Sequence, residues 1–142
     1  MTDTSTETRT VVVEREIPHP PEKIWRALTQ PHLIEEWLMK TDFAPALGHR
    51  FNLRGDWGGV DCEVLAVEPH KTLSYTWNYA HDDPAYALKS VVTFTLTPTP
   101  GGTHLRMEQQ GFRPDQRQAY GGASGGWRQH FDKLEQVLAR IE

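Results

Sequence analysis

Cysteine and long apolar runs are what this sequence most clearly lacks. Cys62 is the single cysteine in 142 residues, so the chain forms no intramolecular disulfide and no cysteine-based metal cage. A lone cysteine is typical of a reducing compartment. The first ten residues, MTDTSTETRT, contain no apolar core of a secretory signal, and no apolar run approaches the roughly 20 residues that span a bilayer. These absences predict a cytoplasmic protein without a membrane partner.

Basic runs are also missing. The formal net charge is −4, with 15 Lys and Arg against 19 Asp and Glu. Because nucleic-acid binding needs clustered Lys and Arg, this balance excludes a general affinity for nucleic acid. The length and the hydrophobic content of 37% are typical of one globular domain. We assign residues 1–8, which have little to bury, to a disordered tail and residues 9–142 to a single domain.

What the sequence does contain is a change of hydrophobic period. A β-branched strand at 10–17 precedes two helical segments with proline in their first turns, PHPPEKIWRALT and PHLIEEWL. Alternation with a period of two then predicts about six antiparallel strands. The clearest of them fall at 49–57, 60–68, 72–79, 87–97 and 103–110. From Trp127 onward, apolar residues at three- and four-residue steps predict an amphipathic helix. The fold class is therefore α+β, in the order β-α-α-β6-α.

The C-terminal helix must cover the apolar face of the predicted sheet, because no other predicted element is long enough. A helix of about 16 residues is about 24 Å long and roughly 10–12 Å wide. A twisted sheet of about seven strands is wider than that. The mismatch predicts an apolar cavity between the sheet and the helix.

The stretch GASGG at 122–126 matches the G-x-S-x-G pattern of hydrolase nucleophiles. In that arrangement the serine follows a strand, and its acid and histidine partners come much later in the chain. Here the chain ends soon after Ser124, and His130 and Asp132 are two residues apart on one helix, so their side chains diverge. We therefore exclude a serine hydrolase. We interpret the glycines as a flexible lead-in to the final helix with Ser124 as its N-cap, and a hinge that admits a ligand is the alternative.

Metal binding is not predicted either. The seven histidines form no H-x-x-x-H pair, and the HDDP stretch at 81–84 has the composition of a solvated turn. More informative are polar residues on predicted apolar faces, where an unpaired polar group costs about 1–3 kcal/mol. These residues are Arg15, Ser90, Gln109 and His130.

Each of these polar positions has an ordinary explanation as well as a functional one. In the ordinary explanation, Arg15 pairs with a nearby acid at the sheet edge, Gln109 reaches water near a strand end, and His130 stays half exposed on the helix flank. Alternatively, they supply the few polar groups that a ligand pocket needs.

Four stretches resemble the START-like (SRPBCC) superfamily. They are HPPEKIWRALTQPHLIEEWL, VLAVEPHKTLSYTW, VVTFTLTPTPGGTHLRMEQQGF and GGWRQHFDKLEQVL. Within the superfamily they are most similar to the C-terminal domain of the activator of heat-shock protein 90 ATPase, over residues 10–140. The resemblance implies a helix-grip fold, in which a curved antiparallel sheet wraps around the long final helix with a cavity between them. It implies no single function, because fold does not dictate function.

We predict that the protein binds a small or medium hydrophobic molecule in this cavity, with no cofactor and no metal. The predicted ligand-binding residues are Trp57, Tyr75, Trp77, Ser90, Val92, Phe94, Met107, Gln109, Trp127, His130, Phe131 and Leu134. One alternative is a polyketide cyclase or dehydratase-like enzyme that uses the same cavity, with His130 as its acid–base group. Another is a chaperone-associated interaction module, and a homodimer is also open.

Overall fold

The structure is a computed structural model that describes residues 8–55, 58–83 and 87–141. Its elements are β1 (Arg9–Ile17), α1 (Pro21–Thr29), α2 (Pro31–Trp37), β2 (Lys40–Thr41), β3 (Arg50–Gly55), β4 (Gly58–Glu68), β5 (Thr72–Tyr79), β6 (Leu88–Thr99), β7 (Gly102–Phe112) and α3 (Arg117–Arg140). This order confirms the predicted β-α-α-β6-α arrangement. Most of the predicted tail, residues 1–7, and the predicted ligand-binding residue Trp57 lie outside the described residues.

The seven strands form one antiparallel sheet in the order β1-β7-β6-β5-β4-β3-β2. The first strand of the chain therefore pairs with the last one, so that Arg9 lies opposite Phe112 and Ile17 lies opposite Thr103. Consecutive strands pair everywhere else, as the turn signals predicted. The sheet is curved and α3 lies across its concave face, which confirms the helix-grip fold.

The core lies between the sheet and the C-terminal half of α3. Phe131, Leu134 and Leu138 on the helix are completely buried, as are Phe94 and Met107 on the sheet. Their side chains lie on one face of each element because apolar residues recur every three or four positions in the helix and every two in the strands. The C-terminal half of α3 therefore packs directly against the sheet through these buried side chains.

Helices α1 and α2 close one end of the sheet. Both begin with proline, which fits the first helical turn because its missing N–H has no acceptor there in any case. The indole Nε1 of Trp37 donates to the Ala27 carbonyl at 2.8 Å and holds the two helices together. No helix in the described part of the chain is long and apolar enough to cross a membrane.

The start of α3 differs from the prediction. The helix begins at Arg117 rather than near Trp127, and it contains all four glycines of the GGASGG stretch. Ser124 is therefore in the helix interior, and Gln116 occupies the N-cap position. The flexible lead-in and the Ser124 cap are both wrong. Glycine lowers helix propensity by about 1 kcal/mol relative to alanine, so local propensity opposes this segment and tertiary structure overrides it.

Candidate functional site

A cavity of about 1120 Å³ lies between the sheet and the N-terminal half of α3. Strands β4 to β7 form its floor, α3 forms its roof, and the segment between β7 and α3 forms one side. It is lined by Met39, Gly58, Gly59, Trp77, Tyr79, Ala80, His81, Leu88, Gln109, Phe112, Pro114, Asp115, Gln116, Arg117, Gln118, Ala119, Gly122, Ala123, Gly126, Trp127 and His130. Several of these residues, such as His81 and Gln118, are exposed, so the cavity opens to solvent on that side.

The cavity exists because the roof of α3 changes from small to large side chains. Ala119, Gly122, Ala123 and Gly126 follow one another at helical spacing on the cavity face. A Cβ atom added to Gly122 or Gly126 would meet no heavy atom within 4 Å. Beyond Gly126 the same face carries the bulky Trp127, and the space closes. Side-chain size along α3, more than the width of the helix, therefore places the void.

Aromatic rings form the wall where the cavity meets the filled core. The Trp127 ring lies 5.2 Å from the Trp77 ring and 5.8 Å from the Phe94 ring, measured between centroids. Both pairs are tilted or edge-on, arrangements in which the positive edge of one ring approaches the negative face of another. Trp77 and Trp127 border the cavity, while Phe94 packs behind them.

A buried chain of hydrogen bonds fixes this aromatic wall. The Trp127 indole Nε1 donates to Gln109 Oε1 at 2.8 Å, and Gln109 Nε2 donates to Ser90 Oγ at 3.0 Å. Ser90 Oγ in turn donates to the Trp77 carbonyl at 2.6 Å. Because an indole N–H only donates and a carbonyl only accepts, the direction of every bond in the chain is determined. Gln109 is 1% exposed, so the interpretation that it reaches water is wrong.

His130 borders the cavity one turn after Gly126. Its Nδ1 lies 3.2 Å from the carbonyl oxygen of Trp37, which is the last residue of α2. Its ring packs edge-on against Trp127 at 5.7 Å. Burial lowers the pKa of His130 below its ordinary value; the Trp37 hydrogen bond raises the pKa, and the charge of Lys133 lowers it. The imidazole is therefore neutral near pH 7.

The cavity mouth is polar and braced by Gln116. Its Oε1 accepts from the Arg113 backbone N–H at 2.9 Å, and its Nε2 donates to the Ala87 carbonyl at 2.6 Å. This buried amide ties the start of α3 to the chain just before β6. Asp115 at the same rim pairs with Arg113 at 3.4 Å.

The predicted ligand-binding residues fall into three groups. Trp77, Gln109, Trp127 and His130 border the cavity. Ser90 lies behind Gln109 in the hydrogen-bonded chain. The others in the described part of the chain are buried without bordering the cavity: Tyr75, Val92, Phe94, Met107, Phe131 and Leu134. Alternation shows which side of a strand faces inward, but it does not show where along that strand the helix stops filling the space.

Most residues of the cavity lining were not predicted from the sequence. The clearest omissions are Met39, Leu88, Phe112 and Ala123. One signal was present: small residues at 119, 122, 123 and 126 follow the i, i+3, i+4, i+7 spacing of a helix face. The pattern did not lead to a predicted helix, because the glycines in the same stretch favour a loop.

Arg15 serves the structure rather than the cavity. Its Nη1 lies 2.9 Å from Asp132 Oδ1 and 2.7 Å from Glu135 Oε2, so it ties β1 to α3. This confirms the interpretation that Arg15 pairs with a nearby acid. Among the described residues, no group of three or more His, Cys, Asp and Glu side chains is placed to hold a metal ion.

Comparisons with known proteins agree with this architecture. The sequence model of the family described as activator of Hsp90 ATPase homolog 1-like protein matches residues 18–139. The crystal structure of protein MLL2253 from Mesorhizobium loti is 78% identical with a TM-score of 0.92, covering 94% of this chain and 99% of that one. CalU16 from Micromonospora echinospora is 23% identical with a TM-score of 0.78, covering 99% and 82%. Protein BH1534 from Bacillus halodurans is 24% identical with a TM-score of 0.78, covering 92% and 96%. No curated protein matches the chain.

Proposed function

The chain belongs to the family of activator of Hsp90 ATPase homolog 1-like proteins, a branch of the START-like superfamily, and from that premise we propose that it binds a small or medium hydrophobic molecule in the cavity beneath α3. The family match supports the fold and leaves the function to the site. The proposal therefore depends on the lining of the cavity itself.

The observation that carries the proposal is a cavity of about 1120 Å³ whose inner wall is largely apolar and whose polar lining residues lie mainly at its mouth. Ligand pockets typically measure about 300–1000 Å³ and combine apolar walls with a small number of fixed polar groups. Met39, Trp77, Leu88, Phe112 and Trp127 supply the apolar surface. Gln109 and His130 supply polar atoms that hydrogen bonds hold in place.

Titration with N-phenyl-1-naphthylamine, a neutral apolar dye whose fluorescence rises in apolar surroundings, tests the proposal. We expect saturable binding to the wild type. The double variant Gly122→Leu/Gly126→Leu places two side chains in the cavity, and we expect it to bind about tenfold more weakly or worse, a change of about 1.4 kcal/mol. The matched control is Gly121→Leu/Gly125→Leu, which adds the same side chains at two exposed positions of the same helix that do not border the cavity.

The control should bind the dye as the wild type does. Absence of dye binding to the wild type, or equal binding by both double variants, would overturn the proposal. Native mass spectrometry of the protein as purified adds a direct reading, because a retained molecule reveals its own mass.

One observation favours catalysis in the same cavity as a second candidate function. His130 borders the cavity as a half-buried neutral base, which is what a cyclase or dehydratase-like reaction requires. The molecule retained by the His130→Phe variant distinguishes the two candidates. An enzyme that lacks its base accumulates unreacted substrate. For a dehydration, the molecule retained by the variant is heavier than that of the wild type by one water, and for a cyclisation that loses no atoms it differs in chromatographic retention. A binding protein retains the same mass.

The chaperone contact, the homodimer and the cytoplasmic location stay predictions. In the described part of the chain the exposed large hydrophobic side chains are Val12, Leu47 and Leu65. Val12 lies on β1 and Leu65 on β4, with three strands between them in the sheet, and Leu47 precedes β3. A partner-binding surface is expected to gather such residues into one patch of several hundred Å². We therefore favour the cavity.

A further inference from the structure

His130 is a polar residue of the cavity wall whose hydrogen-bonding capacity is only half used. The ring lies where α3 passes the end of α2, with Trp127 against one side. Its Nδ1 contacts the carbonyl oxygen of Trp37 at 3.2 Å. This carbonyl belongs to the final turn of α2, where the helix itself provides no N–H partner. His130 therefore caps α2 with one ring nitrogen.

The capping bond determines the state of the other ring nitrogen. A carbonyl oxygen can only accept, so Nδ1 carries the proton. The lowered pKa of His130, which follows first from burial, keeps the ring neutral. In a neutral imidazole with a protonated Nδ1, the Nε2 atom has a lone pair and no proton. Nε2 is thus a hydrogen-bond acceptor before any ligand binds.

Within the described residues, the hydrogen bond of His130 involves Nδ1 and not Nε2. Because every buried side-chain N or O atom there has a partner, Nε2 is accessible to solvent from the cavity side of the ring. Gln109 also contacts Trp127, and its carbonyl oxygen already accepts from the Trp127 indole. The described interior of the cavity therefore pairs apolar walls with an uncommitted acceptor on His130. A ligand with a hydrogen-bond donor at this position can pair with Nε2. A ligand without one displaces water from Nε2 and leaves the acceptor without a partner.

We infer that His130 Nε2 accepts a hydrogen bond from the ligand and selects hydrophobic molecules that carry a hydroxyl group. This inference rests on the proposed function, since it names the chemical class of the ligand in the same cavity. Discrimination is strong in this situation because a buried acceptor without a partner loses its hydration, whereas a matched hydroxyl restores the bond.

Two fluorescent probes of nearly equal shape test the inference. 1-Hydroxypyrene carries the hydroxyl proton, and 1-methoxypyrene replaces it with a methyl group. Energy transfer from Trp77 and Trp127, both on the cavity wall, reports the binding of either probe. We expect the wild type to bind 1-hydroxypyrene about threefold to tenfold more tightly than 1-methoxypyrene, as one net hydrogen bond would give.

The His130→Phe variant keeps a ring of similar size but has no acceptor. We expect its ratio of affinities for the two probes to fall to about one while 1-methoxypyrene still binds. His32→Phe, an exposed histidine on α2 outside the cavity lining, is the control and should keep the wild-type ratio. Circular dichroism of both variants checks that they fold, and His130→Gln, whose amide oxygen is also an acceptor, should retain a preference for the hydroxyl probe.

The outcomes separate this inference from the proposal beneath it. Equal affinities of the wild type for both probes, or an unchanged ratio in His130→Phe, would overturn the role of His130 and leave the binding function standing. If neither probe binds the wild type, both the binding function and the selectivity are contradicted.

Discussion

At the scale of single residues, the most consequential group is the buried amide of Gln109. It joins β7 to α3 through Trp127 and to β6 through Ser90. Hydrogen bonds of this kind contribute modestly when made and cost more when one partner is removed. Gln109 therefore contributes to stability and also holds the indole that forms the cavity wall.

Replacing Gln109 with leucine leaves the Trp127 indole N–H buried without an acceptor. We expect Gln109→Leu to lower the free energy of unfolding by about 1–3 kcal/mol. The neighbouring Gln110→Leu is the control, because Gln110 is exposed on the other side of the same strand, and we expect a change within about 0.5 kcal/mol. Urea unfolding measures both. Equal stability of the two variants would mean that the buried hydrogen bonds of Gln109 contribute nothing to the stability of the fold.

A second residue-scale prediction concerns pH. His104 lies on the outer face of the sheet, with Nε2 2.9 Å from Glu14 and Nδ1 2.6 Å from Glu16. Hydrogen bonds to Glu14 and then to Glu16 raise the pKa of His104 above its ordinary value. A group with a raised folded-state pKa stabilises the fold fully below its unfolded pKa, and this contribution is lost as the pH rises through the folded-state pKa.

The stability difference between the wild type and His104→Gln should therefore be larger at pH 5.5 than at pH 8.5. Urea unfolding at both values measures it, with His32→Gln as a control that removes an exposed histidine elsewhere. A difference that does not change with pH would contradict the interaction with the two carboxylates.

At this scale four polar residues could be singled out from the sequence, but their partners could not. Arg15, Ser90, Gln109 and His130 stood out because each interrupts an apolar face. Their partners lie far along the chain, as with Arg15 and Asp132, which are 117 residues apart. No local pattern encodes such a pairing, because only the tertiary fold brings the two elements together.

At the scale of elements, α3 is one continuous helix whose two halves differ in side-chain size. Its C-terminal half has large apolar residues at regular spacing and was predicted from that pattern alone. Its N-terminal half has small residues over the cavity, and its glycines gave a local preference for a loop. The Gln116 amide at its start and the packed half at its end hold the segment helical.

The helical state of the glycine-rich half has a measurable consequence. We expect Gly121→Ala and Gly125→Ala each to raise the free energy of unfolding by up to about 1 kcal/mol, because both sites are exposed and an added Cβ meets nothing within 4 Å. Thermal unfolding measures the gain, and dye binding should be unchanged.

We expect Gly102→Ala to have the opposite effect and to lower the free energy of unfolding. Gly102 has a φ of 155°, and an added Cβ would collide with the Ile17 carbonyl oxygen, so this variant should be strongly destabilised. If the two helical substitutions also destabilised the protein, the segment would not be helical in solution.

At the scale of the whole molecule, the order and class of the elements were predictable and the position of the cavity was not. Alternation and spacing predict what each element is and which face it buries. The void arises where one stretch of α3 passes over the sheet with only small side chains, so it depends on how helix and sheet are aligned lengthwise. That alignment is set by contacts such as those of Arg15 with Asp132 and Glu135.

Binding and stability are linked in the whole molecule. A ligand that binds only the folded state stabilises it by about 2.7 kcal/mol at a concentration one hundred times its dissociation constant. We expect N-phenyl-1-naphthylamine at that concentration to raise the melting temperatures of the wild type and of Gly121→Leu/Gly125→Leu equally. The rise for Gly122→Leu/Gly126→Leu should be about half as large or less, because tenfold weaker binding lowers the stabilisation to about 1.4 kcal/mol. A rise of the same size in all three proteins would place the dye outside the cavity.

The pairing of β1 with β7 has a consequence for how the protein is made. Roughly a hundred residues separate Arg9 from its partner Phe112. Because a ribosome adds about 5–20 residues per second, roughly 5–20 s pass between the synthesis of β1 and that of its partner strand β7. During that interval the backbone of β1 is an open template for other nascent chains. Glu14 and Glu16, charged side chains on this first strand, are suited to discouraging such contacts until translation delivers β7.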